Sequence, residues 1–417
     1  MRKTVKTLGA LVACFVASAG LAACSSDKGA EVNTGGLTGE PIKLGSVLTI
    51  TNPIWDNSGT RDVNTAFASY INDTLGGIDG RPVEVSSCDD HGDPAKTTQC
   101  YNNLVDEGVV GFVNNSSLAF GANALPSLEK AGFAAIGGWP VAPGEFASKS
   151  AFLTTPGASG SYPALAVYFR AKGAKNLAMM FAATPAGQTA ADNVGKLWTS
   201  IGGTSFTGVE YDPTAADFTP NAAKVAKAKP DAVIFATGEG TAPRLFQAVS
   251  LAGVDALRGA TSTAATKSAL SSAGEAAKGM VFSFAAVPPD FEGEDAETYR
   301  EVMKKYAPST ELTNQTGAAA SSMMYAYEVL KELGSDITKE SVLTAFQGTD
   351  TWKGFLTHST DTSQAPAALP AVSNPYNLVA TYDGEAFTAE TVSAADELAP
   401  FLSDEGGLTW ISGSPKK

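Results

Sequence analysis

Histidine is nearly absent from this chain: His91 and His358 are the only two in 417 residues. Imidazole is a leading general base and metal ligand, so metal centres and histidine-based catalysis have little to be built from. Also missing are a Gly-x-Ser-x-Gly elbow, a Walker loop and a Gly-x-Gly-x-x-Gly turn after a strand. Gly238-Glu239-Gly240 lacks the third glycine. The pair Asp89-Asp90 is no substitute, because neighbours along a strand face opposite ways. No enzyme, metal or cofactor is expected. Clusters of Lys and Arg are missing too. The chain holds 29 basic against 43 acidic residues, a formal net charge of −14. Such a surface repels phosphate backbones and argues against nucleic acid as a partner. Beyond residue 21 no apolar run approaches the roughly 20 residues that a spanning helix needs.

What is present begins at the N-terminus. Arg2, Lys3 and Lys6 precede an apolar segment from Leu8 to Leu21, which ends in Leu21-Ala22-Ala23-Cys24. A cationic start, a short apolar run and a small-residue cleavage site make a secretory signal over residues 1–23. Leu-Ala-Ala-Cys resembles the lipobox of bacterial lipoproteins, which implies that Cys24 carries lipid and becomes the mature N-terminus. The only membrane contact expected is that anchor, on the extracytoplasmic face of the cell membrane. Residues 24–40 are then the lipidated cysteine and a flexible linker with a reach of roughly 20–25 Å. The length that remains suits two domains of ordinary size.

Export also frames the cysteines. Cys14 leaves with the signal and Cys24 takes the lipid, so Cys88 and Cys100 remain in an oxidising compartment. Cys88 ends an apolar-alternating stretch, and Cys100 lies in a helix opened by Asp93 as N-cap and Pro94 as first helical residue. A disulfide joining the two is expected, stabilising by roughly 3 kcal/mol.

From residue 42 onward short apolar runs alternate with helical segments. The pattern predicts strands at 42–48, 83–86, 109–113 and 133–136, and helices at about 61–72, 94–105 and 119–130. It restarts after residue 159, with strands at 177–181, 206–211, 232–236 and 280–284 between helices at 162–171, 188–201, 221–228 and 242–251. Repeated strand–helix units imply parallel sheets covered on both faces, and two such runs imply two lobes. Three helices follow, at about 296–306, 317–333 and 339–346. A Pro-, Ser- and Thr-rich connection at 357–375 then leads to a strand at 376–382. Residues 391–417 show no periodicity.

The block Gly76-Gly77-Ile78-Asp79-Gly80-Arg81-Pro82-Val83-Glu84-Val85, with Asp89-Asp90 and Asp93-Pro94-Ala95-Lys96 after it, resembles the leucine/isoleucine/valine-binding family of ABC-importer solute receptors. Leu104 to Val110, Lys229 to Ile234, Gln247 to Gly253 and Gly274 to Gly279 add matches over roughly 41–385. The resemblance implies a type I periplasmic binding fold, α/β, with two Rossmann-like lobes joined by a three-crossover hinge. Lobe 1 would span 41–156 and about 286–372, lobe 2 157–285 and about 373–390, with 391–417 as a C-terminal segment. It also implies a monomer without catalysis that hands a small solute to ABC permease and ATPase subunits. A ligand-sensing receptor subunit would use the same closing cleft.

The same resemblance places the ligand at Trp55, Ser116, Ser117, Gly138 and Trp139 in lobe 1, and at Ala186, Gly238, Glu239 and Ser262 in lobe 2. The serines could instead cap a helix, and Trp139 could be core. Ser262 falls where amino-acid binders place the acid that meets the ligand ammonium. A buried ammonium without a paired carboxylate is costly. The expected ligand is therefore a small organic acid or an apolar or aromatic solute, unless Glu239 supplies the missing charge.

Overall fold

The strands are short apolar runs, the pattern of parallel sheets buried on both faces. The computed structural model describes residues 32–52, 55–367, 369–393 and 396–415. The expected signal and Cys24 lie outside the described residues. No helix among the described residues is long and apolar enough to cross a membrane.

In the first lobe, β1 (Ile42–Leu48), β2 (Val83–Asp89), β3 (Gly111–Val113), β4 (Ala135–Ile136) and β5 (Ala151–Phe152) form an all-parallel sheet in the order β2-β1-β3-β4-β5. Between them run α1 (Ser58–Asp73), α2 (Pro94–Asp106), α3 (Phe120–Asn123), α4 (Leu125–Ala131) and α5 (Pro143–Ala147). The single helix expected at 119–130 is two, α3 and α4, meeting at Ala124. Pro126 lacks an amide donor and disfavours helical backbone at the residue before it. Asp93 caps α2 as its sequence suggests, accepting from the Ala95 and Lys96 amides at 2.8 and 3.0 Å. Cys88 and Cys100 are disulfide-bonded, with Cα atoms 5.6 Å apart, so β2 is fastened to α2.

The second lobe starts with α6 (Gly157–Ala171) and continues through β6 (Asn176–Ala182), α7 (Pro185–Ser200), β7 (Ser205–Tyr211), α8 (Thr219–Ala228) and β8 (Ala232–Ala236). Then come α9 (Ala242–Leu251), β9 (Leu257–Thr261), α10 (Lys267–Ala273) and β10 (Val281–Phe284). β9 is not visible in the sequence pattern because Arg258 and Gly259 interrupt its five residues. It forms because β8 and β10 bond to it from both sides.

The chain then returns to the first lobe. α11 (Glu294–Tyr306), α12 (Asn314–Leu333) and α13 (Lys339–Gly348) pack there, α12 against α1, β3 and β4. A small antiparallel pair, β11 (Thr351–Trp352) and β12 (Thr360–Asp361), precedes β13 (Tyr376–Tyr382), which joins the second sheet antiparallel to β10. β14 (Phe387–Ala389), β15 (Leu402–Glu405) and β16 (Leu408–Ser412) extend that sheet. The C-terminal segment without periodicity is therefore partly a hairpin. Its turn is Gly406-Gly407, both at positive φ (61° and 77°), the backbone that two-residue hairpin turns demand.

Each sheet carries an apolar core on either face. Phe67, Tyr299, Met323 and Phe346 belong to one core of the first lobe, Val47, Leu104, Phe112 and Leu128 to the other. Phe235, Phe246 and Phe282 face Met179, Trp198 and Ile234 across the second sheet. His358 is spent on packing: its ring stacks on Tyr376 at 4.2 Å, and Nε2 lies 2.9 Å from Ser403 Oγ and 3.1 Å from Glu405 Oε2.

Part of the expected linker is not free. Val32 packs on the first core, the Asn33 amide donates to Ser69 Oγ at 2.9 Å, and Arg81 Nε donates to the Glu40 carbonyl at 2.8 Å. Within 24–40, residues 32–40 are thus docked on the first lobe, which shortens the reach of any tether.

Candidate ligand site between the lobes

Three connections join the lobes, at 153–156, 285–293 and 372–375. The first leaves the carboxyl end of β5 and the second the carboxyl end of β10. The carboxyl edges of both parallel sheets therefore lie at the junction, and this is the edge where open α/β sheets bind ligands. The first and third connections run together. Leu153 bridges Val372, Ser373 Oγ donates to the Leu153 carbonyl at 3.2 Å, and Asn374 Nδ2 to the Thr154 carbonyl at 2.9 Å. Asn314, at the start of α12, holds the second by accepting from the Ala285 amide at 3.0 Å and donating to the Ala286 carbonyl at 2.6 Å.

In the first lobe the carboxyl-edge loops are knotted around two carboxylates. Asp90 is fully buried and accepts from Thr49 Oγ1 (2.8 Å), the Gly92 amide (2.8 Å), Thr97 Oγ1 (2.7 Å) and Ser117 Oγ. Asp89 accepts from the Ile50, Thr51 and His91 amides at 2.9–3.0 Å. Burial pushes the Asp89 carboxyl up, but the Thr51 hydroxyl and these amides outweigh it and hold it below the usual carboxylate range. The loops after β1, β2 and β3 are thereby fixed to one another and, through Cys88–Cys100, to α2. Asn57 adds a further tie, donating to the Thr49 and Ser116 carbonyls at 2.9 and 3.0 Å.

The predicted residues of this lobe fall into different environments. Ser117 is consumed within the fold: besides Asp90, its oxygen accepts from the Ala119 and Phe120 amides at 3.1 Å. Ser116 is buried, and its Oγ accepts from the Trp139 amide at 3.2 Å. Gly138 has φ 97°, and a Cβ there would collide with the Asn115 carbonyl oxygen, so the glycine permits a close approach of two loops within the lobe. Trp139 is 7% exposed and belongs to the first lobe's core. Trp55 is half-buried against that core, in the loop between β1 and α1. Asn114, at φ 54°, bends the chain after β3 and donates to Asn64 Oδ1 (2.8 Å) and the Ala319 carbonyl (2.9 Å). Glu145, on α5, accepts from the Val141 and Ala142 amides at 3.0 and 2.8 Å. Burial raises its pKa to about 7 despite those donors.

The second lobe is different. Ala186 is exposed in the first turn of α7, Gly238 and Glu239 are exposed in the loop after β8, and Ser262 is half-buried just after β9. All four lie at the carboxyl edge of the second sheet. A shallow concavity of about 520 Å³, lined by Ala191, Asp192, Gly195, Lys196, Thr199 and Phe206, runs along α7 and β7, away from that edge.

Sequence reasoning treated Asp89-Asp90 only as part of a structural block and missed Asn57 and Glu145. The signal for Asp90 was local: Thr49, Thr97 and Ser117 follow β1, Asp93-Pro94 and β3, at the points where loops converge.

Two α/β lobes joined by three strands of chain, with their carboxyl edges opposed, define the architecture of a hinged binding protein. The chain matches the periplasmic binding protein family over residues 41–380 and belongs to it. A search of curated proteins finds no match. Solved structures share the fold at low identity. The leucine-binding protein LivK from Thermotoga maritima is 16% identical with a TM-score of 0.67, covering 85% of this chain and 99% of its own. A fatty acid ABC transporter substrate-binding protein from Thermomonospora curvata is 16% identical with a TM-score of 0.67, covering 88% and 96%. An ABC transporter solute-binding protein from Rhodopseudomonas palustris, in complex with 3,4-dihydroxybenzoic acid, is 18% identical with a TM-score of 0.67, covering 85% and 98%.

Proposed function

We propose that this chain is an extracytoplasmic solute-binding lipoprotein of an ABC importer of the branched-chain amino acid transport type. Cys24 carries the lipid that holds it at the outer face of the cell membrane. A small solute enters between lobe 1 (41–156 and about 286–372) and lobe 2 (157–285 and about 373–390), the lobes close on it, and permease and ATPase subunits receive it. The observation that carries this reading is the opposition of two carboxyl edges across a three-connection hinge, with no catalytic constellation expected from the sequence. Trp55, Ser116 and Gly138 on one side, and Ala186, Gly238, Glu239 and Ser262 on the other, are the contacts proposed. The fold relatives named for leucine, fatty acid and dihydroxybenzoate show that this architecture takes chemically diverse cargo. Ser262 in place of an acid favours an organic acid or an apolar or aromatic solute over an α-amino acid.

A thermal-shift screen of the mature chain against amino acids, aromatic acids, amides and small apolar solutes tests the reading. A true ligand at a hundredfold excess over Kd stabilises by about 2.7 kcal/mol. A panel with no stabilising member counts against solute binding. The largest shift from leucine or valine overturns the reading of Ser262.

A further inference from the structure

Ten loops leave the carboxyl ends of the ten parallel strands β1–β10, and together they form the two facing edges. They span 49–57, 90–93, 114–119, 137–142, 153–156, 183–184, 212–218, 237–241, 262–266 and 285–293. Not one contains lysine or arginine, although the chain has 29 such residues. They do contain acids: Asp56, Asp90, Asp93, Asp212, Asp217, Glu239, Asp290 and Glu292. Several serve the backbone. Asp56 accepts from the Ser58 amide, Asp93 caps α2, and Asp212 and Asp217 hold the Thr214 and Thr219 amides. Arg244 and Arg300 reach these loops from neighbouring helices, where they bond the Ala215, Pro289 and Phe291 carbonyls. An anion entering here therefore meets several carboxylates and no basic side chain of the loops themselves.

The same edge shows apolar side chains. Four large hydrophobic residues are exposed among the described residues, and two of them, Leu118 and Val141 (each 42% exposed), stand on neighbouring carboxyl-edge loops of the first lobe. Those loops touch. The Trp139 amide reaches both the Asn115 carbonyl and Ser116 Oγ at 3.2 Å, and a Cβ on Gly121 would lie 2.7 Å from Ala142 Cβ. Leu118 is held in place: its amide donates to Thr49 Oγ1 at 3.2 Å, and its Cδ1 lies 3.3 Å from where a Cβ on Gly92 would be. Val141 is held by Glu145 at 3.0 Å. Two apolar side chains held on touching loops offer an apolar solute a place to bury surface. At the carboxyl edge of the second lobe stand Ala183, Ala186, Gly238 and Gly240, which are small and exposed.

We infer that the solute is uncharged and has an apolar body, and that Leu118 and Val141 grip that body. This rests on the solute-binding reading above and narrows its ligand class, setting aside the organic acids. Helix amides and loop hydroxyls supply neutral donors for a carbonyl or hydroxyl head. An anionic head finds no basic side chain on these loops and keeps its desolvation cost. A cationic head meets Glu239, Asp290 and Glu292 only as exposed carboxylates, whose pull water screens.

Calorimetric titration of the full mature chain with two matched sets tests the inference. The aliphatic set is isovaleramide, isovalerate, isoamylamine and leucine; the aromatic set is benzamide, benzoate and benzylamine. The neutral member of one set should bind at least about tenfold tighter than its charged analogues. Leu118→Ser and Val141→Ser, each a lost apolar contact, should weaken it by about tenfold with the unliganded melting temperature nearly unchanged. Tightest binding by a carboxylate, an amine or leucine overturns the inference and leaves the binding-protein reading intact. Tight neutral binding that both serine variants retain overturns the role of Leu118 and Val141. If no member of either set binds while another solute from the broad thermal screen does, the inference falls alone. If nothing in either panel binds, both readings fall.

Discussion

The loops after β3 and after β8 occupy equivalent places at the carboxyl edges of their sheets, yet they differ in construction. Asn114, Asn115, Ser116 and Ser117 are all buried, and their side chains or carbonyls bond to β1, α1, α12, Asp90 and the Trp139 amide. Gly238, Glu239 and Gly240 are exposed, and a Cβ on either glycine would meet nothing within 4 Å. The first lobe has therefore fixed its loops during folding, so a ligand that lands there orders little. In the second lobe the loop after β8 presents a small-residue edge with open space around both glycines. A hinged receptor gains from this division, because the preformed half captures and the open half completes.

The sharpest way to break the contrast is one glycine substitution made in each lobe. Gly138→Ala places a methyl against the Asn115 carbonyl at a φ of 97°. It must either expel the 138–139 backbone from its bonds to the 115–116 loop or strain both. Backbone strain and overpacking together predict a loss of about 3–5 kcal/mol, measured by urea or thermal unfolding. A loss under about 1 kcal/mol would show that the first lobe's loops are less fixed than their contacts imply.

That contrast was only half legible in the sequence. Ile42–Leu48, Ala232–Ala236 and Tyr376–Tyr382 were delimited correctly, because their apolar runs are bounded by turn residues and match the strand period. The Cys88–Cys100 pair was also legible, from compartment and local geometry. β9 and the β15–β16 hairpin were not, since partner strands rather than side-chain pattern create them; the Gly406-Gly407 signal was present but unread. At the site, Ser117 and Trp139 show the limit of motif reading. A serine after a strand looks alike whether it faces a ligand or a buried aspartate, and only the tertiary arrangement that brings Asp90 beneath Ser117 decides. Leu118 and Val141 escaped notice because an apolar residue in a loop carries no periodic signature.

A second distinction lies in pH response. Glu145 supports the 141–142 segment from a buried site, and burial lifts its pKa to about 7. The unfolded chain ionises near the usual 4.5 while the folded chain still holds the proton. Its stabilising contribution is therefore full below about pH 4.5, declines as pH rises, and is lost above about pH 7. Glu145→Gln removes this dependence. The stability of the wild type relative to the variant should fall by about 2–3 kcal/mol between pH 4.5 and 7.5, read from unfolding midpoints across that range. A flat difference would mean that Glu145 is solvated in the folded state.

The smallest effect is expected from the partner substitution, Gly240→Ala. Its φ is not positive and no heavy atom lies within 4 Å of the added Cβ. The new methyl therefore meets no obstacle in the folded state, while it narrows the conformations open to the unfolded chain. Stability should rise by about 0.4–1 kcal/mol, against the loss at Gly138. The same variant also asks whether the open edge reaches the solute at closure. If the loop after β8 closes on an apolar body, the added methyl changes ligand affinity while the melting temperature of the unliganded protein barely moves. If affinity is unchanged as well, this loop stays clear of the ligand, and the small-residue edge must act through Ala183, Ala186 and Ser262 alone.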